Sequence, residues 1–149
     1  YTYFASKDEL IRSSILAANK EETDAILRDM QAAGTFRERF HRALAGWHAY
    51  TFEVPGVAAF LADVWAEAAR RPLIRDLVAR RRERVVMVSS ILLREGVAVG
   101  EIDPDVDVTL MAHLFANLLD GMILESLEDN GEIRLSEVVR RANAFLDMA

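Results

Sequence analysis

Apolar residues recur every three or four positions along most of the chain, and nearly every run opens or closes on a helix signal. Ser6-Lys7-Asp8-Glu9 has the form of a capping box, with Leu10, Ile11, Ser14, Ile15 and Ala18 following at helical spacing. A first helix is predicted from Lys7 to about Gln31, closed by Gly34. Thr35-Phe36-Arg37-Glu38 repeats the capping box ahead of a stripe of Phe36, Phe40, Leu44, Trp47, Thr51 and Val54. Pro55 is expected to break that helix and begin another, carrying Val57, Phe60, Leu61, Val64, Trp65 and Ala68. Pro72 repeats the break and starts a long helix to about Val97, with Leu73, Leu77, Val85, Val88, Ile91 and Leu92. Asp103-Pro104 reads as an N-cap and first-turn proline for a helix to about Leu127 that is apolar nearly all round. Asp129-Asn130-Gly131 is a turn, and Ser136 is expected to cap a last helix with Val138, Val139, Ala142, Phe145 and Leu146 inward. No alternating β-branched runs occur, so the fold class is all-α, with about six helices.

The chain has 149 residues, a length suited to one domain. Its 18 lysines and arginines against 24 acids give a net charge of −6, which is poor stand-alone equipment for gripping phosphate. There are no cysteines, hence no disulfide, thiol nucleophile or cysteine–zinc site. The longest charge-free stretch, Val108 to Leu119, falls short of the roughly 18 residues a membrane span needs, and no signal peptide opens the chain. The expectation is a cytoplasmic domain without a membrane partner.

Tyr1-Thr2-Tyr3-Phe4-Ala5-Ser6-Lys7-Asp8-Glu9-Leu10 is the most specific string. Hydroxyls, an ammonium group and the free amides of a helix start all suit a phosphate. On chemistry alone the competing reading is a hydrophobic staple at Phe4 with surface tyrosines. The string resembles the junction after the recognition helix in tetracycline-repressor (TetR) family regulators. Trp65-Ala66-Glu67-Ala68-Ala69-Arg70 with Pro72 resembles the middle of their BetI-like subgroup, and Gly100-Glu101-Ile102-Asp103-Pro104 with Asp107 and Leu119-Asp120-Gly121 resemble its later helices.

That resemblance implies a ligand-responsive transcriptional regulator, a repressor by type. Residues 1–5 would end a DNA-binding head whose helix-turn-helix is missing upstream, and 6–149 would form the effector-binding and dimerisation domain. By it, Tyr1, Thr2, Tyr3 and Lys7 correspond to DNA-backbone contacts, and operator DNA is bound through the N-terminal head. It also implies a homodimer in which the last two helices of each subunit form a four-helix bundle. The Pro104 helix supports this independently, having more apolar surface than one core requires. The expected interface is Leu110, Leu114, Leu118, Asp120, Gly121 and Met122, with Val138, Ala142 and Phe145. A mostly apolar small-molecule effector is expected among the first four helices. Trp47, Tyr50, Phe60, Val64, Trp65 and Met87 would wall the pocket, and Thr51, Ser90, His113 and Asn117 would supply polar groups. The BetI-like resemblance points toward cationic amines, with no residue identifiable that specifies one.

Other chemistry is weaker. Glu38 and His41 share a helical face, but a di-iron site needs a second such pair, which the sequence lacks. His113, Asn117 and Asp120 share another face. They read as a polar stripe within an interface, as ligand contacts, or as the base pair of a small all-α enzyme with Ser89 or Ser90. A purely structural dimerisation module is the third class. In the basic run Arg80-Arg81-Arg82-Glu83-Arg84, Arg81 and Arg84 straddle the core stripe, and one that turned inward would need an acid or an anionic ligand. No metal or cofactor is implied.

Overall fold

A computed structural model describes residues 6–31, 33–128 and 132–148, and among these there are helices and turns but no strand. The helices are α1 (Lys7–Met30), α2 (Phe36–His48), α3 (Val57–Ala68), α4 (Pro72–Ala98), α5 (Val108–Ser126) and α6 (Leu135–Met148). Helix α1 lies on α2 and α4, α4 lies on α3 and α5, and α6 closes against α2. The centre is filled by Phe40, Trp47, Leu93, Met122, Ile123 and Val138. A smaller cluster of Ile15, Ile74 and Leu77 joins α1 to α4.

The opening signals act as their chemistry requires. The Ser6 hydroxyl accepts from the Glu9 amide at 3.1 Å. Thr35 and Glu38 form both arms of the second capping box, at 3.2 and 3.0 Å. Pro72 occupies the first turn of α4, where its missing N–H leaves no hydrogen bond unmade.

Four boundaries differ from expectation. Helix α2 does not run on to Pro55 but widens into a π turn, Ala49–Glu53. Two tertiary anchors hold it open: His48 Nε2 donates to the Ile133 carbonyl at 2.5 Å, and the Tyr50 hydroxyl donates to the Ala18 carbonyl at 3.2 Å. The widened turn keeps Thr51 inside and leaves Val54 exposed. Helix α3 then starts after Gly56, whose φ of 84° is open to glycine at little cost, with Pro55 outside the helix. Helix α5 is capped by Asp107, which accepts from the Leu110 amide at 3.0 Å. Asp103 instead closes a separate turn onto the Asp105 amide at 2.9 Å. The chain needs that extra turn because Ile102 is buried against Gly96 and Phe36, so it must cross the end of α4 before α5 can begin. Finally, α6 starts at Leu135, with Val138 N–H donating to Arg134 O, so Ser136 lies within the first turn and is not its cap.

Helix α5 also corrects the membrane expectation, since by length and composition it is the one helix among the described residues that could cross a bilayer. Asp120 ends the charge-free stretch, and Glu125 follows soon after it. In the fold the Asp120 carboxylate is held by two arginines of α4, and the inner face of α5 packs in the bundle.

Candidate functional site

Helix α1 carries Ile15, Asn19, Glu22 and Ile26 at i, i+4, i+7 and i+11, a single stripe directed into the bundle. Two polar residues therefore lie on an otherwise apolar line, and each does something different.

Glu22 takes an arginine. Arg81 of α4 donates from Nη2 to Glu22 Oε1 at 2.7 Å and from Nε to Oε2 at 2.9 Å. Its Nη1 donates to Asp120 Oδ1 of α5 at 3.1 Å. Arg82 approaches Asp120 Oδ2 at 3.6 Å and donates to the Asn117 carboxamide oxygen. The side chains of Arg81 and Glu22 are only 5% and 3% exposed, so this is a charge cluster taken almost wholly out of water. Burial alone would lower the Arg81 pKa, but Glu22 and Asp120 lift it above its ordinary value. Burial pushes the Asp120 carboxyl up, and the two arginines offset this only in part. The Arg81 guanidinium carbon also lies 5.4 Å from the Trp65 ring centroid. One cluster thus ties α1, α3, α4 and α5 together. The inward arginine is Arg81, and its counter-charges are acids of this chain.

Asn19, 4% exposed, lines a cavity between α1, α3 and α4. Phe60, Val64 and Trp65, all expected at an effector pocket, meet there with Ile15, Leu61 and Leu77, and Arg81 forms part of the wall. The enclosed space is about 10 Å³, at the lower limit for one water molecule. Trp47 belongs to a second, purely apolar cavity of about 20 Å³ with Ile26, Phe40, Leu92 and Phe115. Its indole Nε1 and the Thr51 hydroxyl are buried without a hydrogen-bond partner among the described residues. Tyr50 stands beside the Asn19 cavity through its bond to Ala18, and burial with Glu21 and Glu22 nearby raises its hydroxyl pKa.

The remaining expected pocket residues lie elsewhere. Met87 is 55% exposed, and His113 and Asn117 lie on the outer surface, so none of them walls an interior pocket of the chain. Their helical phase places them on the side opposite the bundle. Ser90 is buried on α4 but borders neither cavity. The expected interface set divides in the same way. Met122, Val138, Ala142 and Phe145 are buried in the chain's own core, and Asp120 turns inward to the arginines. Leu110, Leu114 and Gly121 remain on the outer face of α5, with Leu118 half-buried beside them. The acid–base pair an enzyme would use is not assembled, since Asp120 is engaged by Arg81 and Arg82 and His113 makes no hydrogen bond to it. Glu38 caps α2, and His41 Nε2 lies 2.8 Å from Asn143 Oδ1, so both members of the Glu–His pair hold α2 in place.

Lys7 is exposed at the first turn of α1, whereas Tyr1, Thr2 and Tyr3 lie outside the described residues. Asn19 and Glu22 do not stand out in the sequence. The available signal is their spacing from Ile15 and Ile26, because a polar residue in core phase must find a partner inside.

Compared with known proteins, residues 36–149 match the family model described as BetI-type transcriptional repressor, C-terminal. No curated protein matches the chain.

Proposed function

The chain belongs to that family, the C-terminal domains of BetI-type TetR regulators, and from this premise we propose that residues 6–149 form an effector-binding and dimerisation domain that works by population shift. Residues 1–5 are read as the end of a DNA-binding head, with Tyr1, Thr2, Tyr3 and Lys7 toward the DNA backbone. The domain makes and breaks no bond, and it works in the cytoplasm.

The observation that carries this reading is the outer face of α5. Leu110, Leu114 and Leu124 are 54%, 47% and 51% exposed and lie on one stripe, with Gly121 leaving room for a close approach. A monomer would leave that stripe in water, whereas a second copy related by a two-fold axis covers it with the same surface. Asn117 within the stripe and His113 at its margin then supply the polar contacts that fix register. Helix α1 leads from the start of the described chain past the Asn19 cavity, so its tilt is what an effector would change. In a dimer, such a tilt alters the separation of two heads that must lie about 34–36 Å apart to reach successive major grooves. The effector must favour one tilt over the other, or nothing moves.

Size-exclusion chromatography with light scattering tests the reading. The expected result is twice the 16.7 kDa chain mass, reduced to monomer by Leu114→Lys with the helical circular dichroism retained. A chain that is monomeric at tens of micromolar overturns it.

A further inference from the structure

We propose that the surface trough around the π turn takes a linear amine with two or more N–H-bearing ammonium groups, one of them seated between His48 and Glu53. The site lies on the outside of the bundle, apart from both interior cavities, and filling it does not require the dimer.

His48 supplies the anchor. Its Nε2 meets the Ile133 carbonyl, which can only accept, so the ring proton sits on Nε2 and a neutral ring leaves a lone pair on Nδ1. That Nδ1 has no hydrogen-bond partner among the described residues, in a residue only 7% exposed. Facing it at 3.7 Å is Glu53 Oε1, a second acceptor. Two acceptors turned toward each other call for a donor between them. An ammonium answers both at once, giving one hydrogen to Nδ1 and one to the carboxylate, and its charge opposes that of Glu53. Rotation of Glu53, whose side chain is 67% exposed, opens the way to Nδ1.

The surroundings favour a second ammonium on the same molecule. Glu53 is shared by a depression of about 400 Å³ with His48 and Glu132 and by a groove of about 800 Å³ between α1 and the π turn. The groove is walled by Glu21, Asp24 and Asp29 of α1. Against these acids stand Arg28 and Arg134, with Lys20 beside Asp24 at 3.3 Å. Carboxylates therefore outnumber cations along the trough, and a flexible chain reaches them from the His48 seat. An anion would be repelled there. A quaternary ammonium has the charge but no N–H to give Nδ1. A metal ion lacks a ligand set, since among the described residues no three His, Asp or Glu side chains are placed to hold one.

Hexamethylenediamine, hexamethonium and hexylamine test this. The first two are dications on the same alkyl chain and only the first has N–H, whereas hexylamine keeps a single ammonium. They are titrated against the chain by ligand-observed NMR at about pH 8 and about 20 mM salt, where alkylamines are charged, free imidazole is neutral and screening is weak. The diamine is expected to bind at least about fivefold more tightly than either of the others. Glu53→Gln should weaken the diamine roughly fivefold. In the unaltered chain the diamine should shift the imidazole nitrogen resonance of His48 Nδ1 and leave those of His41 and His113 in place. Hexamethonium or hexylamine binding as tightly, no diamine binding, or affinity unchanged in Glu53→Gln overturns the proposal. So does a His48 Nδ1 that already carries a proton and does not respond. A monomer that binds the diamine this way loses the dimer and keeps this site, and a dimer that ignores it does the reverse.

Discussion

Replacing Glu22 by Gln removes one charge from a cluster that almost no water reaches. Arg81 would keep Asp120 at 3.1 Å but lose the bidentate partner that holds Nε and Nη2 at 2.9 and 2.7 Å. Removing one partner of a buried pair costs about 3–5 kcal/mol, chiefly because the other charge stays buried without it. The surviving Asp120 contact places Glu22→Gln near the lower end, about 3 kcal/mol. With a urea slope of about 2 kcal/mol per molar, the unfolding midpoint should fall by roughly 1.5 M. The assay is urea unfolding followed by circular dichroism at one fixed chain concentration, because the dimer proposed above would make stability depend on it. Adding Arg81→Met removes the orphaned charge. The double variant should therefore be more stable than the sum of the single effects by about 2 kcal/mol. A Glu22→Gln midpoint within about 0.3 M of the unaltered chain, or strict additivity, would refute the reasoning.

Three further outcomes are expected. Asp120→Asn isolates the carboxyl whose folded pKa lies above the ordinary 3.8. Its stabilising contribution is complete below about 3.8 and is lost as pH rises through the higher folded value. Asp120→Asn should therefore flatten the part of the pH dependence of the thermal midpoint that Asp120 contributes between acid and neutral pH, and a profile parallel to that of the unaltered chain would contradict this. Gly96→Ala puts a methyl 2.6 Å from Ile102 Cδ1 and 2.8 Å from Phe36 Cζ, so about 1–3 kcal/mol should be lost in denaturant unfolding. Thr35→Ala removes the hydroxyl arm of a capping box and keeps the backbone amide that donates to Glu38, and the same measurement should register about 1 kcal/mol.

Helices were legible wherever local chemistry decides them. Ser6, Thr35 and Pro72 start helices because a hydroxyl oxygen or an absent N–H acts within one turn. Asp103 and Asp107 carry the same local signal, and the choice between them falls to Ile102, which is buried against α4. The π turn was hidden for a related reason, since its anchor at Ile133 lies far along the chain from His48. That one arginine turns inward was legible, but Arg81 and Arg84 stood equal beside the core stripe, and only the fold selects Arg81. Its partner was not legible, since α1 is weakly amphipathic and Glu22 resembles the acids around it. The outer leucines of α5 were legible as surplus apolar surface. Which residues of α5 face inward was not, because a helix apolar all round has no visible phase, and burial of Ala112, Phe115, Leu119 and Met122 supplies it. On α6 the spacing already pointed Val138, Ala142, Phe145 and Leu146 inward, where they are buried in the chain's own core.

The widened turn after α2 makes this junction sensitive to chain length in a way no side chain can compensate. Each residue turns an α-helix by about 100°, so deleting one position within residues 49–53 would restore ordinary winding and swing everything after it around the axis. Thr51 would leave the interior, and α3 would present a different edge, carrying Phe60 and Trp65 away from α1. The surplus residue therefore acts as a spacer that sets how the third helix meets the first.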